Sequence, residues 1–436
     1  MDAMRVVVLP FQNEVHQLFT DFAEEERYQP PAMDLEPPAL HKLEEGKWFP
    51  LPSENEIPSN LYFVGFLDGV QRTVLVGLLR ARNGANVPLY LARVAAGLLI
   101  RERTEPRIGP VRAWNILVAP FRAVGEEPER LVEALWQQGW PAWTGREAFG
   151  IGREPRILRE LLGPELPWIL ADTSVMGLSE EPSRNLISTA DLWRERQIRA
   201  RAQGRIAHLR QVLELLLLLA VRFPELGLLE KEETIAPEAP ILVDGPLLLS
   251  TRRRRWLPIF LDRMGKRIGE EELEQQLLKD SVGLVKSHRL SPPDPAAVLG
   301  LPEGYRSAFL AFEQEVDVHG RNLREDMEAE EDHQYPRWHV TAYIRLRRRP
   351  NSDLAGLVRI DMLRPEPERG PGPLSPTEEE ELSWRAASVY RERRPWLPGD
   401  RDQPFPITLL EKMLHAQLPP PMVLANMLRL EHKSPS

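Results

Sequence analysis

Three acidic residues lie in sequence too apolar to leave an ionised carboxylate without a reason. Asp68 follows the run LYFVGFL (Leu61–Leu67), Asp244 follows ILV (Ile241–Val243), and Glu214 interrupts VLELLLLLAV (Val212–Val221). Burying an unpartnered carboxylate is costly even after relaxation, so each must be protonated, paired with a cation or bound to a metal ion. Convergence of all three would be strongly repulsive. A hard divalent cation such as Mg2+ or Mn2+ turns that repulsion into shared coordination, because such ions prefer carboxylate oxygens. Local alternatives exist for each residue taken alone. An Asp before Gly, as in Asp68-Gly69, makes a turn by bonding its own backbone. Glu214 has Arg205 and Arg210 as potential ion partners. Two strand ends and one core helix, each delivering a single acid, favour the metal reading.

Few other chemistries are open. The 436-residue chain has no cysteine, which excludes disulfides, thiolate zinc sites, cysteine nucleophiles and cysteine-ligated iron–sulfur clusters. His208, His288, His319, His333 and His339 show no HExxH or His-x-His spacing, and there is no Gly-x-Ser-x-Gly elbow or phosphate-binding GxxxxGK[ST] loop. The chain therefore carries no recognisable nucleotide-hydrolysing motor of its own. Basic clusters at Arg252, Arg253, Arg254 and Arg255, with Arg263, Lys266 and Arg267 beyond, and at Arg347–Arg349, are candidates to hold a nucleic-acid backbone or are simply solvated faces. The acidic run Glu325–Asp332 lacks ligand-loop spacing and is expected to face solvent or a basic partner.

The elements that must position these residues follow from the apolar pattern. Leu61–Leu67 reads as a strand buried on both faces, ending at Asp68-Gly69; Thr73–Leu79 and Val87–Ile100 read as two more, making a three-stranded antiparallel meander. Leu192–Phe223 predicts a long helix, arginine-rich in its first half and buried in its second. Strands are expected at Ile241–Val243, Leu247–Leu249, Val282–Lys286, Val340–Leu346 and Leu357–Met362. Helices are expected at Glu270–Lys279, Glu378–Arg394 and Ile407–Leu418. Residues 124–190, with Trp136, Trp140, Trp143 and Trp168, read as an insertion whose tryptophans form a small core rather than a base-stacking platform.

Length alone suggests two or three domains. The 42 prolines concentrate in an N-terminal arm, in the loop 291–304 and in the linker 363–376, and so mark surface segments around a core. A net charge of -9 argues against a wholly basic nucleic-acid coat but permits a local basic groove. The most apolar run is about ten residues long and carries Glu214, short of the roughly 20 needed to cross a bilayer. With no signal-peptide pattern at the start, a cytoplasmic protein is expected.

An acid on the first strand of a meander, one on a helix and one on a later strand resembles the ribonuclease H-like nuclease core. In more detail the chain resembles the NurA family of DNA nucleases. The ordered matches are FLDGVQRT (Asp68), HLRQVLELL (Glu214), ILVDGPLLLS (Asp244), VGLVKSHR (Lys286) and GLVRID (Arg359 and Asp361), spread over about residues 60–415. Near the C-terminus the family's Tyr-Pro-x-x-Leu-x-x-x-His pattern reads Phe405-Pro406-Ile407-Thr408-Leu409-Leu410-Glu411-Lys412-Met413. Met413 stands where histidine is expected, and His415 comes two positions later.

The resemblance implies an α/β fold with a ribonuclease H-like mixed sheet and flanking helices. Its parts would be an N-terminal arm (1–59), a nuclease core in two pieces (60–123 and 191–418), an insertion subdomain (124–190) and a C-terminal tail (419–436). It implies a metal-dependent DNA exonuclease, single-strand endonuclease activity being left open. Asp68, Glu214 and Asp244, with His415 if the register slips, would ligate two Mn2+ or Mg2+ ions, and Lys286 would stabilise charge on the phosphate. The implied partners are DNA, a second copy of the chain and a hexameric HerA-type translocase ATPase, with no membrane, in DNA repair or anti-phage defence. The departure at Met413 keeps open a degenerate nuclease fold that regulates the ATPase without cutting.

Overall fold

The computed structural model describes residues 6–7, 40–81, 83–102, 105–137, 139–144, 160–163, 166–174, 192–247, 257–258, 261–262, 264–286, 292–312, 339–348, 354–365, 372–393 and 404–426. Three long antiparallel strands form its centre: β1 (Gly65–Arg80), β2 (Asn86–Glu102) and β3 (Glu105–Ala119). β2 is buried along nearly its whole length because both its faces are covered, Tyr90, Val94 and Leu98 on one side, Leu91, Ala95 and Leu99 on the other. A strand with no wet face has no polar alternation. β1 turns into β2 through Gly84, whose φ of 85° suits a residue without a Cβ.

The expected turn at Asp68-Gly69 does not exist. β1 runs straight through it, with Leu67, Asp68, Gly69 and Val70 pairing with Leu98, Gly97, Ala96 and Ala95. The two apolar runs assigned to separate strands are one strand, and Ser59–Leu61 before it is a turn of 3-10 helix. The third strand of the meander is β3, and the segment 87–100 is the second. Gly69 is therefore not there for chain reversal, and its neighbours in the site give its purpose.

The sheet extends both ways. Beyond β3 come β5 (Trp168–Asp172) and then β4 (Ala142–Thr144), both in parallel pairings. On the other side β6 (Ile241–Asp244) is parallel to β1, and β7 (Ser281–Val285) is parallel to β6. Then come β10 (Leu357–Leu363), β9 (His339–Arg345) and β8 (Leu310–Phe312), all antiparallel. Among the described residues the whole is a 14-stranded mixed sheet ordered β8-β9-β10-β7-β6-β1-β2-β3-β5-β4, with Leu40–Lys42 beyond β8. Segment 124–190 thus contributes, besides the helix α1 (Pro128–Gln137), two strands to the same sheet. Its Trp143 and Trp168 are buried, each with a half-exposed tryptophan, Trp136 or Trp140, set edge-on against it. Parts of segment 1–59 also pair with the sheet, Val6–Val7 with β1 and Leu40–Lys42 with β8.

Helices cover the two faces. α2 (Glu195–Arg222) lays Val212, Leu213, Leu216 and Leu219 on the face formed by Leu67, Val94, Leu98 and Trp114. α3 (Glu270–Leu278) adds Leu273 and Leu277 to that core. On the opposite face α4 (Pro376–Arg391) and α5 (Phe405–Gln417) pack Leu382, Val389, Leu410 and Leu414 against Phe66, Val70, Leu242 and Leu284. α4 begins at a capping box in which Ser375 and Glu378 satisfy each other's backbone N–H groups. Where α2 ends, Arg222 donates to the carbonyls of Pro237, Ala239 and Lys279 and to Ser281 Oγ. That buried guanidinium ties the last turn of α2 to the starts of β6 and β7, the two strands whose far ends carry Asp244 and Lys286. Segment 291–304, expected as loop, holds one short helix, Pro295–Leu299, capped by the Asp294 side chain on Ala297 N–H.

Candidate functional site

β6 is only four residues long and stops at Asp244. Its register with β1 pairs Gly65 with Ile241, Phe66 with Leu242 and Leu67 with Val243, so the next step brings Asp68 and Asp244 level on adjacent strands. Parallel neighbours lie about 4.8 Å apart. Past this point β1 has no strand partner on that edge, among the described residues, until Val6–Val7 joins it at Leu78–Leu79. The opening falls at the carboxyl ends of parallel strands, the place where open α/β sheets form ligand crevices. The chain can leave β6 there because residue 283 of β7 is glycine: a Cβ on it would lie 2.6 Å from the Gly245 carbonyl oxygen and 2.8 Å from Leu247 N. Lys286 comes just after β7, two positions beyond Leu284, the partner of Asp244, and its Nζ donates to Asp244 Oδ2 at 2.6 Å.

Asp68 pairs with Gly97, whose missing Cβ makes room for Leu414 of α5, so its side chain belongs to the α5 face of the sheet. It is 2% exposed. Oδ1 accepts the Gly69 N–H at 2.7 Å, and Oδ2 is buried without a hydrogen-bond partner. Burial first, then the charges of Asp244 and Glu214, push its pKa well above the ordinary carboxyl value, with Lys286 and Arg210 acting in the opposite direction.

Glu214 approaches from the other face, on α2. Its carboxylate fills the space a side chain at position 69 would need: a Cβ on Gly69 would lie 2.9 Å from both Cγ and Cδ of Glu214 and closer still to Oε1. Arg210, one turn earlier on α2, donates through Nη1 to Glu214 Oε1 at 2.8 Å and to the Gly69 carbonyl at 2.7 Å. The proximity of Glu214 raises the Arg210 pKa, against the effect of burial and with help from Asp68 and Asp244. Of the two readings left open for Glu214, the arginine pair is present in this structure.

Five charged groups therefore act on one another at the end of β6: Asp68, Asp244, Glu214, Lys286 and Arg210. Among the described residues no three carboxylate or imidazole groups form a ready cage for one ion. Two causes are visible. Asp68 and Glu214 start from opposite faces of the sheet, and Lys286 and Arg210 already engage oxygens of Asp244 and Glu214. The donor set nonetheless suits a hard divalent cation, because every ligand atom is a carboxylate oxygen and Asp68 Oδ2 is an unsatisfied buried acceptor.

His415 is placed elsewhere in character. It is half-exposed on α5, with Nε2 4.0 Å from Glu411 Oε1, and it is not among the charges that act on Asp68. Met413 packs against the apolar core. Arg252, Arg253, Arg254 and Arg255 lie outside the described residues. Arg359 and Asp361 form a buried two-point ion pair on β10, at 3.0 and 3.1 Å, beside Gly283 and joined by Thr341 Oγ1. Gly69 was read only as turn chemistry beside Asp68, and Arg210 only as a possible ion partner of Glu214. An arginine four residues before a buried glutamate is a legible helical pair, but the reason for Gly69 appears only once β1 and α2 are packed together.

No family model matches the chain, and no curated protein matches it. Among solved structures the chain is similar to the NurA nuclease from Sulfolobus solfataricus, with a TM-score of 0.30 and 13% sequence identity over 92% of this chain and 89% of that one.

Proposed function

We propose that this protein is a divalent-metal-dependent nuclease with a ribonuclease H-like core, acting on DNA in the manner of the NurA family that its motifs resemble. One observation carries the reading: the Asp68 carboxyl is buried, has an oxygen without a partner and stands level with Asp244 where a parallel strand stops. Structural ion pairs do not need such an arrangement, since a buried carboxylate without a partner is a cost unless something binds it.

In this reading Asp68 and Asp244, with Glu214 from α2, hold Mn2+ or Mg2+ in a two-ion site. When bound, such ions stabilise charge on a scissile phosphate and lower the pKa of an attacking water. Gly69 admits the Glu214 carboxylate, Arg210 orients it, and Lys286 offers its ammonium to the phosphate oxygens. Past Asp68, where β1 has no partner strand on that edge among the described residues until Leu78, a strand of DNA would approach the carboxylates. Arg252–Arg255 would hold the backbone. Following the resemblance, the chain acts as a homodimer on DNA ends with a hexameric HerA-type ATPase, in the cytoplasm, in repair or anti-phage defence. No helix among the described residues is long and apolar enough to cross a membrane.

The test uses end-labelled single- and double-stranded DNA with Mn2+. Asp68→Asn and Asp244→Asn should each cut at least about a hundredfold more slowly than the wild type while keeping its circular dichroism spectrum. Full activity in both variants overturns the site. A second reading, a non-catalytic partner of a translocase, is favoured by Met413 packing against the apolar core and His415 lying beside Glu411. Wild-type protein that binds the ring and cuts nothing with Mn2+, Mg2+ or Co2+ would decide for it.

A further inference from the structure

The two cations of the site are held in different ways. Arg210 is anchored by two acceptors, Glu214 Oε1 and the backbone carbonyl of Gly69, so it has a hold on β1 besides its ion pair. Among the described residues Lys286 makes one ion pair, at 2.6 Å with Asp244 Oδ2. Its side chain is 37% exposed against 26% for Arg210, and it lies one position past the end of β7, outside the strand pairing. A part-exposed lysine–carboxylate pair is a weak interaction, whereas a hard divalent ion strongly prefers carboxylate oxygen. Asp244, whose Oδ2 Lys286 occupies, stands level on the adjacent strand with Asp68, whose buried Oδ2 has no hydrogen-bond partner.

We propose that Lys286 is an exchangeable counter-ion, which neutralises Asp244 in the metal-free protein and is displaced from Oδ2 when a divalent cation enters. This rests on the reading of Asp68 and Asp244 as metal ligands, and it adds an order of events and a second duty for Lys286. The displaced ammonium stays tethered at the mouth of the cleft, one side chain's length from Asp244, where a phosphodiester bound to the metal would meet it. Arg210 remains in place throughout, because its backbone contact is independent of the metal. Lys286 is thus a positioning residue before metal entry and a phosphate contact after it.

The full-length protein tests this without reference to cleavage. Free Mn2+ is titrated by electron paramagnetic resonance, and lysine reactivity is read by acetylation and mass spectrometry. Removing the competitor in Lys286→Met should tighten Mn2+ binding about fivefold. Lys286→Arg, which offers a two-point grip on Asp244, should weaken it. Acetylation of Lys286 in the wild type should rise several-fold on adding Mn2+, and should not rise in Asp244→Asn. Suppose Mn2+ binds to the wild type and is lost in Asp244→Asn, yet Lys286→Met binds no tighter and Lys286 reactivity is unchanged by the ion. Then Lys286 is a fixed structural partner and the exchange is wrong, while the metal site stands. If wild-type protein binds no Mn2+ at all, the metal reading falls and the exchange falls with it.

Discussion

Gly69→Ala is the substitution that tests the packing of the site most directly. The residue is in extended strand and not in the left-handed region, so a Cβ is forbidden only by what it would touch. The Cγ and Cδ of Glu214 would be 2.9 Å away, against the 3.4 Å at which ordinary contact begins. Glu214 must then retreat by about half an ångström at two carbons and further at Oε1. A free side chain would do this cheaply, but Glu214 is buried and its Oε1 is held at 2.8 Å by Arg210. Loss of that charge-assisted bond in a part-buried setting is worth about 1.5–3 kcal/mol, and overpacking adds about 1 kcal/mol. Alanine recovers about 0.5 kcal/mol through its smaller backbone entropy. The expected net loss is about 2–3.5 kcal/mol.

The assay is urea unfolding of four proteins: wild type, Gly69→Ala, Glu214→Ala and the double variant. If the glutamate is the obstacle, Gly69→Ala should cost almost nothing once residue 214 is alanine, and the coupling should be about 2 kcal/mol. A coupling below about 0.5 kcal/mol, with Gly69→Ala equally harmful in both backgrounds, would refute the claim that Gly69 exists to admit Glu214.

Two further outcomes follow from the electrostatics. Burial alone would raise the pKa of Glu378, but hydrogen bonds from Arg364 and the Ser375 N–H outweigh it and hold the value at about 2, from an ordinary 4.5. A depressed carboxyl stabilises the fold above its unfolded value, and that contribution is lost as pH falls from about 4.5 towards 2. Glu378→Gln should therefore cost about 3 kcal/mol at pH 7 and progressively less in acid; a cost independent of pH would contradict this. Asp68 has the opposite sign. Its raised folded value means that the native state keeps a proton the unfolded chain has released, so wild-type stability falls as pH rises from near 3.8 through the raised value. In EDTA at pH 7.5, Asp68→Asn should melt higher than wild type, with the gap closing towards pH 4; a lower melting point at pH 7.5 would show that Asp68 is not a buried electrostatic liability.

Sequence reading marked the isolated acids better than the strands that carry them. Asp68, Glu214 and Asp244 were legible because isolated acids in long apolar runs are conspicuous, and α2 because Val212–Val221 has room for nothing but a buried helix. β3 was missed because Arg107, Arg112 and Asn115 interrupt its apolar pattern. Two of the three are accounted for by tertiary partners, Asn115 accepting from Arg93 Nε on β2 and Arg112 pairing with Glu233. The single continuous β1 was missed because Asp-Gly is strong turn chemistry in isolation. Its strand conformation is imposed by pairing with β2 across every step from Gly65 to Leu75. That Asp68 and Glu214 start from opposite faces could not be read at all, since the face of Asp68 depends on its register with Gly97.

The balance of charge at the end of β6 accounts for a site built this way. Asp68, Glu214 and Asp244 against Arg210 and Lys286 leave one net negative charge when every group is ionised, and the raised pKa of Asp68 acts to lessen even that. The two cations offset most of the acids' charge, which is why three acids can be gathered without unfolding the sheet around them. On the proposed metal reading, one divalent cation beside the five ionised groups would reverse the sign to one net positive charge. A phosphodiester carries one negative charge, so on that reading its attraction to the site would begin only with the metal present. With the arginine and lysine absent, one ion would leave the site still negative; the two cations would thus couple metal binding to phosphate binding. The overall charge of -9 is no obstacle to this. At physiological salt the field of the outer surface is screened within about 8 Å, and the local sign at the carboxylates governs the last step of approach.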